Sequence, residues 1–329
     1  MEVLKITLFF IFIIKPISII AQEKNEHFLI KTEYLVSLPN KYKNDVNQKF
    51  PVLIFLHGSR ENSNLSKVKN DFLPLRFAKN RNLPLILVSP VNSYNKWSVD
   101  LLNKLLDDVI DKYNVDENRI YLSGHSLGAW GAWDWAQENP ERFAAVAPIS
   151  GCSRGDIKAP WKLRHLPIWV FHGENDENTN VNCNINTVKR INKYDGKTKI
   201  TIYPDVGHDI WELPFAKNNL IEWLLYQSKT KNIPKRSQLD PNIYEKYTGR
   251  YTFVDNIKDT IQVIYMNNKL HLKLQDKNPI SLSSESKTKF YVDPEPWAGI
   301  EFVIEDNLVI GLKLLEHKLK TYSKLNRHH

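Results

Sequence analysis

The chain is poor in the features that mark metalloproteins, membrane-embedded proteins and nucleic-acid binders. Its 329 residues include only two cysteines, Cys152 and Cys183, so at most one disulfide can form. The histidines and acids show no His-x-x-x-His spacing and no cysteine cluster, and no metal site or cofactor is expected. Lysine and arginine outnumber the acids, for a formal net charge of +8. The lysines never gather into a run, however, and no RNA- or DNA-binding signature accompanies them. The basic balance reads as a solvated surface, and nucleic acid is not an expected partner. Beyond the N-terminal segment no apolar stretch approaches the ~20 residues that span a bilayer. Internal repeats and long low-complexity tracts are also absent. What remains, 42% hydrophobic and 25% charged, is a globular composition whose length suits one large domain or one large plus one small.

The N-terminus has the layout of a secretory signal peptide. Met1–Lys5 is short and carries a lysine, Ile6–Ile14 is nearly all apolar, and Ala21 offers a cleavage site. Cleavage after residue 21 and export to the periplasm or medium is the expectation; retention of residues 1–21 as an anchor is the alternative. In an oxidising compartment Cys152 and Cys183 are candidates for a disulfide, the other reading being two small buried thiols. Both follow apolar segments read as neighbouring strands, at their C-terminal ends.

Strand and helix patterns then alternate. Phe50–Leu56 and Leu83–Pro90 are apolar runs without alternation, as in strands buried on both faces of a parallel sheet. Arg119–Ser123, Phe143–Ile149, Pro167–Phe171 and Ile200–Pro204 read as further strands, and His27–Leu38 as opening strand material. Leu101–Tyr113, Leu127–Asn139 and Leu213–Gln227 read as helices. This predicts an α/β domain over residues 22–227. Residues 228–243, rich in Lys, Ser, Pro and Asn, read as a linker. Residues 244–329 show short alternating segments, with Asn267-Asn268 and Asp306-Asn307 as turns, and predict a small antiparallel barrel or sandwich.

Gly124-His125-Ser126-Leu127-Gly128 is a Gly-x-Ser-x-Gly sequence lying between a strand and a helix. In that context the glycines permit a sharp turn that lifts Ser126 above the sheet at the helix N-terminus. A serine nucleophile needs a base. His208 supplies one on the loop after Ile200–Pro204, and Asp176 supplies an acid on the loop after Phe171. The order Ser, Asp, His is that of the α/β-hydrolase fold. Glu174, Glu177, Asp205 and Asp209 are rival acids. An oxyanion intermediate needs backbone N–H donors, for which Leu127 and Ser59 are the candidates. His57, His125 and His172 read as packing or bracing residues. Trp97 and Trp211 are either substrate platforms or packing residues, and Trp297 is a candidate contact of the C-terminal domain. Gly151-Cys152-Ser153-Arg154-Gly155 resembles the nucleophile sequence of glucuronoyl esterases, but no clear helix follows it, so it reads as a loop at the pocket mouth.

Over roughly residues 30–227 the chain resembles bacterial polyhydroxyalkanoate-depolymerase-like and feruloyl-esterase-like α/β-hydrolases, a group also called predicted peptidases. The resemblance is carried by Val52–Gly58, Asp116–Ser126, Gly128–Trp135, Pro140–Gly151, Trp169–Asp176 and Tyr203–Trp211. It implies the triad Ser126, Asp176 and His208 and hydrolysis of carboxylic esters. The chain departs where the group commonly has Gly-Glu-Arg after His-Gly, having Ser59-Arg60-Glu61 instead, and in having Leu127 where Met is common. Residues 244–322 resemble small lipocalin-like barrel modules, on Tyr247-Thr248-Gly249-Arg250-Tyr251 and the strand pattern. The expectation is therefore a secreted serine esterase acting on an acyl or feruloyl group linked to a polysaccharide. A peptidase with the same triad and a non-catalytic polymer-binding protein are the alternatives.

Overall fold

A run of seven apolar residues forms a stable strand only where both of its faces are covered, because successive side chains point to opposite sides. In the computed structural model, residues 33–42, 48–59, 64–70, 83–154, 157, 159–237, 239–275, 277–293, 296–315 and 319–325 are described. The N-terminal segment expected as a signal peptide lies outside them.

Strands β1 (Tyr34–Ser37), β2 (Phe50–Leu56), β3 (Ile86–Pro90), β4 (Val115–His125), β5 (Ala145–Ile149), β6 (Ile168–Gly173) and β7 (Thr198–Tyr203) form one sheet in the order β1-β3-β2-β4-β5-β6-β7. β1 runs antiparallel to β3, and the other pairs are parallel. Val52, Ile54 and Leu56 of β2 enter one core and Leu53 and Phe55 the other. The first core is covered by α2 (Val99–Lys112), α3 (Leu127–Glu138) and α4 (Val181–Asn192), which follow the short α1 (Leu65–Asn70). The second is covered by α5 (Leu213–Lys217) and α6 (Leu220–Tyr226). Helix α2 forms where Leu102, Leu105, Leu106 and Val109 make one apolar stripe. Ser98 caps its start, Asp100 sits in its first turn and Lys112 in its last.

Two helices differ from expectation. The pattern over Leu213–Gln227 is broken at Asn219, whose φ of 49° is left-handed and separates α5 from α6. Helix α4 was not legible because its buried face includes Asn184 and Thr187 beside Val188 and Ile191, so the apolar period is diluted. Cys183 accordingly lies in the first turn of α4 and not at a strand end.

Residues 228–243 are not a free linker. Within α7 (Lys229–Asn232) Asn232 is buried and donates to Ala144 O at 2.8 Å. After α8 (Tyr244–Tyr247) come β8 (Gly249–Phe253), β9 (Asn256–Met266), β10 (Lys269–Leu274), β11 (Ile280–Ser284), β12 (Lys289–Val292), β13 (Gly299–Glu305), β14 (Leu308–Leu315) and β15 (Leu319–Lys324). Each pairs with the next and β15 pairs with β8, closing an antiparallel barrel without free edges. Asn267 and Asn268 turn β9 into β10 with φ of 51° and 59°, and Asp306 and Asn307 turn β13 into β14 with 48° and 61°, as type I′ hairpin turns require. Tyr247, Tyr251, Phe290 and Phe302 fill the barrel core.

The barrel is fastened to the α/β domain. Trp297, a candidate contact from sequence, is partly buried and packs on the first core of that domain. Ser237 and Ser284 exchange two hydrogen bonds, of 2.8 and 2.5 Å. The buried Arg164 guanidinium meets Glu285 at 3.1 Å. Burial alone would raise the Glu285 carboxyl, but the neighbouring His165 and Arg164 more than reverse this and hold it at about 2. A depressed carboxylate adds stability above its ordinary pKa and loses it as pH falls toward 2. Arg164→Leu should remove the guanidinium partner of the largely buried Glu285 and leave it only His165. Thermal unfolding near neutral pH should then report a loss of about 3 kcal/mol; an unchanged midpoint would contradict this account of the interface.

Candidate active site

Ser126 stands between β4 and α3 with φ 54° and ψ −118°. A non-glycine residue is strained there, at a cost of about 1–3 kcal/mol, and such strain concentrates at functional sites. The flanking glycines make the turn possible. A Cβ on Gly128 would lie 1.9 Å from Leu56 O, and one on Gly124 would lie 2.4 Å from Gly128 O, so α3 can seat on β2 and β4 only with both side chains missing. The Ser126 carbonyl accepts from Ala129 and Trp130, and its N–H donates to Ile149 O at 2.9 Å.

The structure brings the three sequence-predicted side chains together. His208 Nε2 lies 2.9 Å from Ser126 Oγ, and His208 Nδ1 lies 2.8 Å from Asp176 Oδ2. The Asp176 side chain has no exposed surface, whereas that of His208 is 15% exposed. Asp176 Oδ1 accepts the N–H groups of Asn178 and Thr179, each at 2.9 Å. None of the rival acids takes this place: Glu174 instead accepts from Asp205 N. The His208 backbone is pinned as well, since its carbonyl accepts from Ser150 Oγ at 2.8 Å and from Ile210 N at 3.0 Å. Ser150, itself buried at φ 50°, carries no motif and was invisible to the sequence reading.

The loop after β2 flanks Ser126. A Cβ on Gly58 would lie 3.4 Å from Ser126 Cβ, which puts Ser59, the next residue, on the same loop. Leu127 opens α3. His57 braces this loop: Nε2 accepts from Asn92 N at 3.0 Å, so Nδ1 carries the proton and donates to Gly58 O at 2.7 Å. Trp97 is 4% exposed, pressed on Gly131 and edge-on to His57, so it is a packing residue and not an open platform. Together with Tyr94, Lys96, Asp134 and Glu138 it lines a cleft of about 420 Å³. Tyr94, 70% exposed, is the accessible aromatic there and was missed from sequence. Trp211 is half-buried on the second core, with its ring 6.4 Å from that of His125. Ser153 is buried and accepts from Gln137 Nε2 at 3.1 Å. Cys152 and Cys183 are paired, with Cα atoms 6.0 Å apart. Among the described residues no group of histidines, cysteines and acids is suited to hold a metal ion, and no helix is long and apolar enough to cross a membrane.

Residues 30–259 match the family described as "Putative esterase". The chain belongs to this esterase family. It is 27% identical over 134 residues to the bifunctional acetylxylan esterase/xylanase of Neocallimastix patriciarum, a match covering 39% of this chain and 19% of that protein. The crystal structure of a thermostable esterase is similar with a TM-score of 0.56 at 28% identity, covering 60% of each chain. A ferulic acid esterase structure aligns at 19% identity and a TM-score of 0.48, covering 59% of this chain and 91% of that one. The chain thus spans less than a fifth of its curated relative and 60% of the thermostable esterase.

In this member of the family His125 lies beside His208, their ring centroids 5.1 Å apart. Burial lowers the His125 imidazole to about 4 and also lowers His172. Both are neutral in the fold near pH 7. As pH falls below about 6.5, the unfolded chain takes up protons that the native state refuses, so native stability declines down to the folded values. At about 1.4 kcal/mol per pKa unit, His125 alone should cost about 3 kcal/mol by pH 4. Denaturant unfolding at pH 7.5, 6 and 5 should give falling midpoints; a flat series would contradict the neutral assignment.

Proposed function

We propose that this esterase hydrolyses carboxylic esters through an acyl-enzyme formed on Ser126. The observation that carries the reading is the hydrogen-bonded series Ser126 Oγ, His208, Asp176 at 2.9 and 2.8 Å, built on a strained strand-to-helix turn. Ser126 Oγ attacks the ester carbonyl and His208 Nε2 takes its proton. Asp176 holds the imidazole with Nδ1–H toward itself and balances the imidazolium. The N–H groups of Leu127 and Ser59 receive the oxyanion. His208 then gives its proton to the departing alkoxide, and afterwards activates water to release the acid. The residues perform these steps without a cofactor.

The relative named an acetylxylan esterase/xylanase favours a short acyl group on a polysaccharide. The signal-like segment 1–21 and the pairing of Cys152 with Cys183 favour an exported enzyme. The polyhydroxyalkanoate-depolymerase-like and feruloyl-esterase-like subgroup remains part of this proposal, as does the lipocalin-like affinity of the barrel.

The test is hydrolysis of p-nitrophenyl acetate and of acetylated and feruloylated xylan by the wild type, Ser126→Ala and Asp176→Asn. Both variants should fold and lose roughly 10³-fold or more in kcat, Asp176→Asn because it reverses the imidazole tautomer. Undiminished turnover by Ser126→Ala would overturn the nucleophile. Turnover of aryl acetate but of neither xylan would overturn the substrate class.

A further inference from the structure

The buried carboxylate of Asp176 has a second imidazole beside it. His172, at the end of β6, has no exposed side-chain surface, and its Nε2 lies 3.1 Å from Asp176 Oδ2 and 2.8 Å from Thr179 O. Its other nitrogen, Nδ1, faces Asn184 Nδ2 at 2.8 Å. The orientation of the Asn184 amide is fixed independently. The same Nδ2 lies 3.0 Å from Gly151 O, a backbone carbonyl that can only accept, so this end of the amide must be the NH₂ group. Asn184 therefore donates one hydrogen to Gly151 O and the other to His172 Nδ1. Nδ1 must then be the unprotonated nitrogen, and Nε2 carries the proton, which it gives to Thr179 O at 2.8 Å with Asp176 Oδ2 beside it at 3.1 Å.

We propose that His172 is a positioning residue: a neutral imidazole, held in the Nε2–H tautomer by Asn184, that fixes the Asp176 carboxylate toward His208. This rests on the assignment of Asp176 and His208 as catalytic and extends it by two residues. Asp176 Oδ2 lies 2.8 Å from its donor His208 Nδ1 and 3.1 Å from His172 Nε2, whose hydrogen is given to Thr179 O at 2.8 Å, while Oδ1 is held by the Asn178 and Thr179 amides. Without His172 the carboxylate loses the ring packed against Oδ2, and Thr179, whose N–H holds Oδ1, loses the hydrogen bond that fixes its carbonyl, so the carboxylate is less constrained in rotation toward His208. The relay is anchored at its far end as well. Cys183, which precedes Asn184 on α4, is joined to Cys152, which follows Gly151. The pair that orients Asn184 is thus held at both adjacent positions.

The experiment compares His172→Leu with His172→Gln in the full chain, beside wild type and Ser126→Ala. Glutamine offers an oxygen to accept from Asn184 and an NH₂ to donate to Thr179 O beside Asp176; leucine offers neither. With p-nitrophenyl acetate, His172→Leu should lose about 10- to 100-fold in kcat with little change in KM, the range over which outer partners act on the groups they orient. The acid limb of its kcat/KM profile should move to higher pH, because the Asp176 charge, without that N–H beside it, holds the His208 imidazolium more strongly. His125 faces His208 in both variants and leaves the comparison intact. His172→Gln should recover kcat to within a few-fold and restore the profile. Equal kcat and coincident profiles for leucine and glutamine would overturn the proposal. Full activity in Ser126→Ala would instead overturn the catalytic assignment on which it rests. Should the leucine variant fail to fold, nitrogen-15 spectra of histidine-labelled wild type decide the matter, with the signals of His172 assigned by their loss in His172→Gln. An Nε2–H tautomer supports the relay, and an Nδ1–H tautomer or an imidazolium at neutral pH overturns it.

Discussion

A carboxylate with no exposed surface is the most demanding group in this molecule. Moved into an apolar interior alone, such a charge would cost tens of kcal/mol, so it persists only where donors surround it. Asp176 meets that condition through the Asn178 and Thr179 amides on one oxygen and the His208 imidazole on the other, with the His172 ring 3.1 Å from the same oxygen. The turn that follows β6, the placing of His208 after β7 and the docking of α4 all answer to this one buried charge. Asn184, otherwise an unfavourable residue for a helix face against a sheet, is used there by Gly151 and His172.

The second constraint is steric. Ser126 stands clear of the sheet because α3 approaches β2 and β4 more closely than any side chain permits, as the 1.9 Å separation at Gly128 makes plain. The backbone strain at Ser126 is offset by the two cores on either side of β2 and β4 and by helix packing that involves the fully buried Trp133 and Trp135. The barrel has its own tyrosine- and phenylalanine-filled core and meets the α/β domain through Trp297 and Arg164 and the connecting segment through the Ser237–Ser284 pair; none of the residues named above around Ser126 belongs to it.

Much of this architecture is legible in the sequence where one physical demand dominates a segment. The run Phe50–Leu56 announces a strand buried on both faces, and Leu102, Leu105, Leu106 and Val109 announce a helix. The asparagines at 267, 268 and 307 announce tight turns, and Gly124-His125-Ser126-Leu127-Gly128 a sharp strand–helix junction. What was not legible depends on partners distant in sequence. Helix α4 hides because the structure needs Asn184 and Thr187 on its inner face. Strands β11 and β15 hide because serines and lysines interrupt their alternation while closure of the barrel still requires them. Ser150 and Asn184 belong to no local pattern, and His172 reads as packing until the acid beside it is placed. Trp97, which the sequence left open between a substrate platform and a packing residue, is buried in the first core, and Trp297 packs against that core.

The central claim is that Ser126, of all the serines near the site, is the activated one. Ser150 and Ser153 lie on the neighbouring loop and make an internal control, since both are buried and already engaged with His208 O and Gln137. The most direct measurement is covalent labelling with an alkyl fluorophosphonate, in which the activated serine oxygen displaces fluoride and keeps the phosphonyl group, followed by peptide mapping of the adduct by tandem mass spectrometry. One adduct per chain, on Ser126, and its loss once His208 is replaced by alanine, is the result the account predicts. An adduct on Ser150 or Ser153, or a folded wild-type protein that takes up no label, would contradict it.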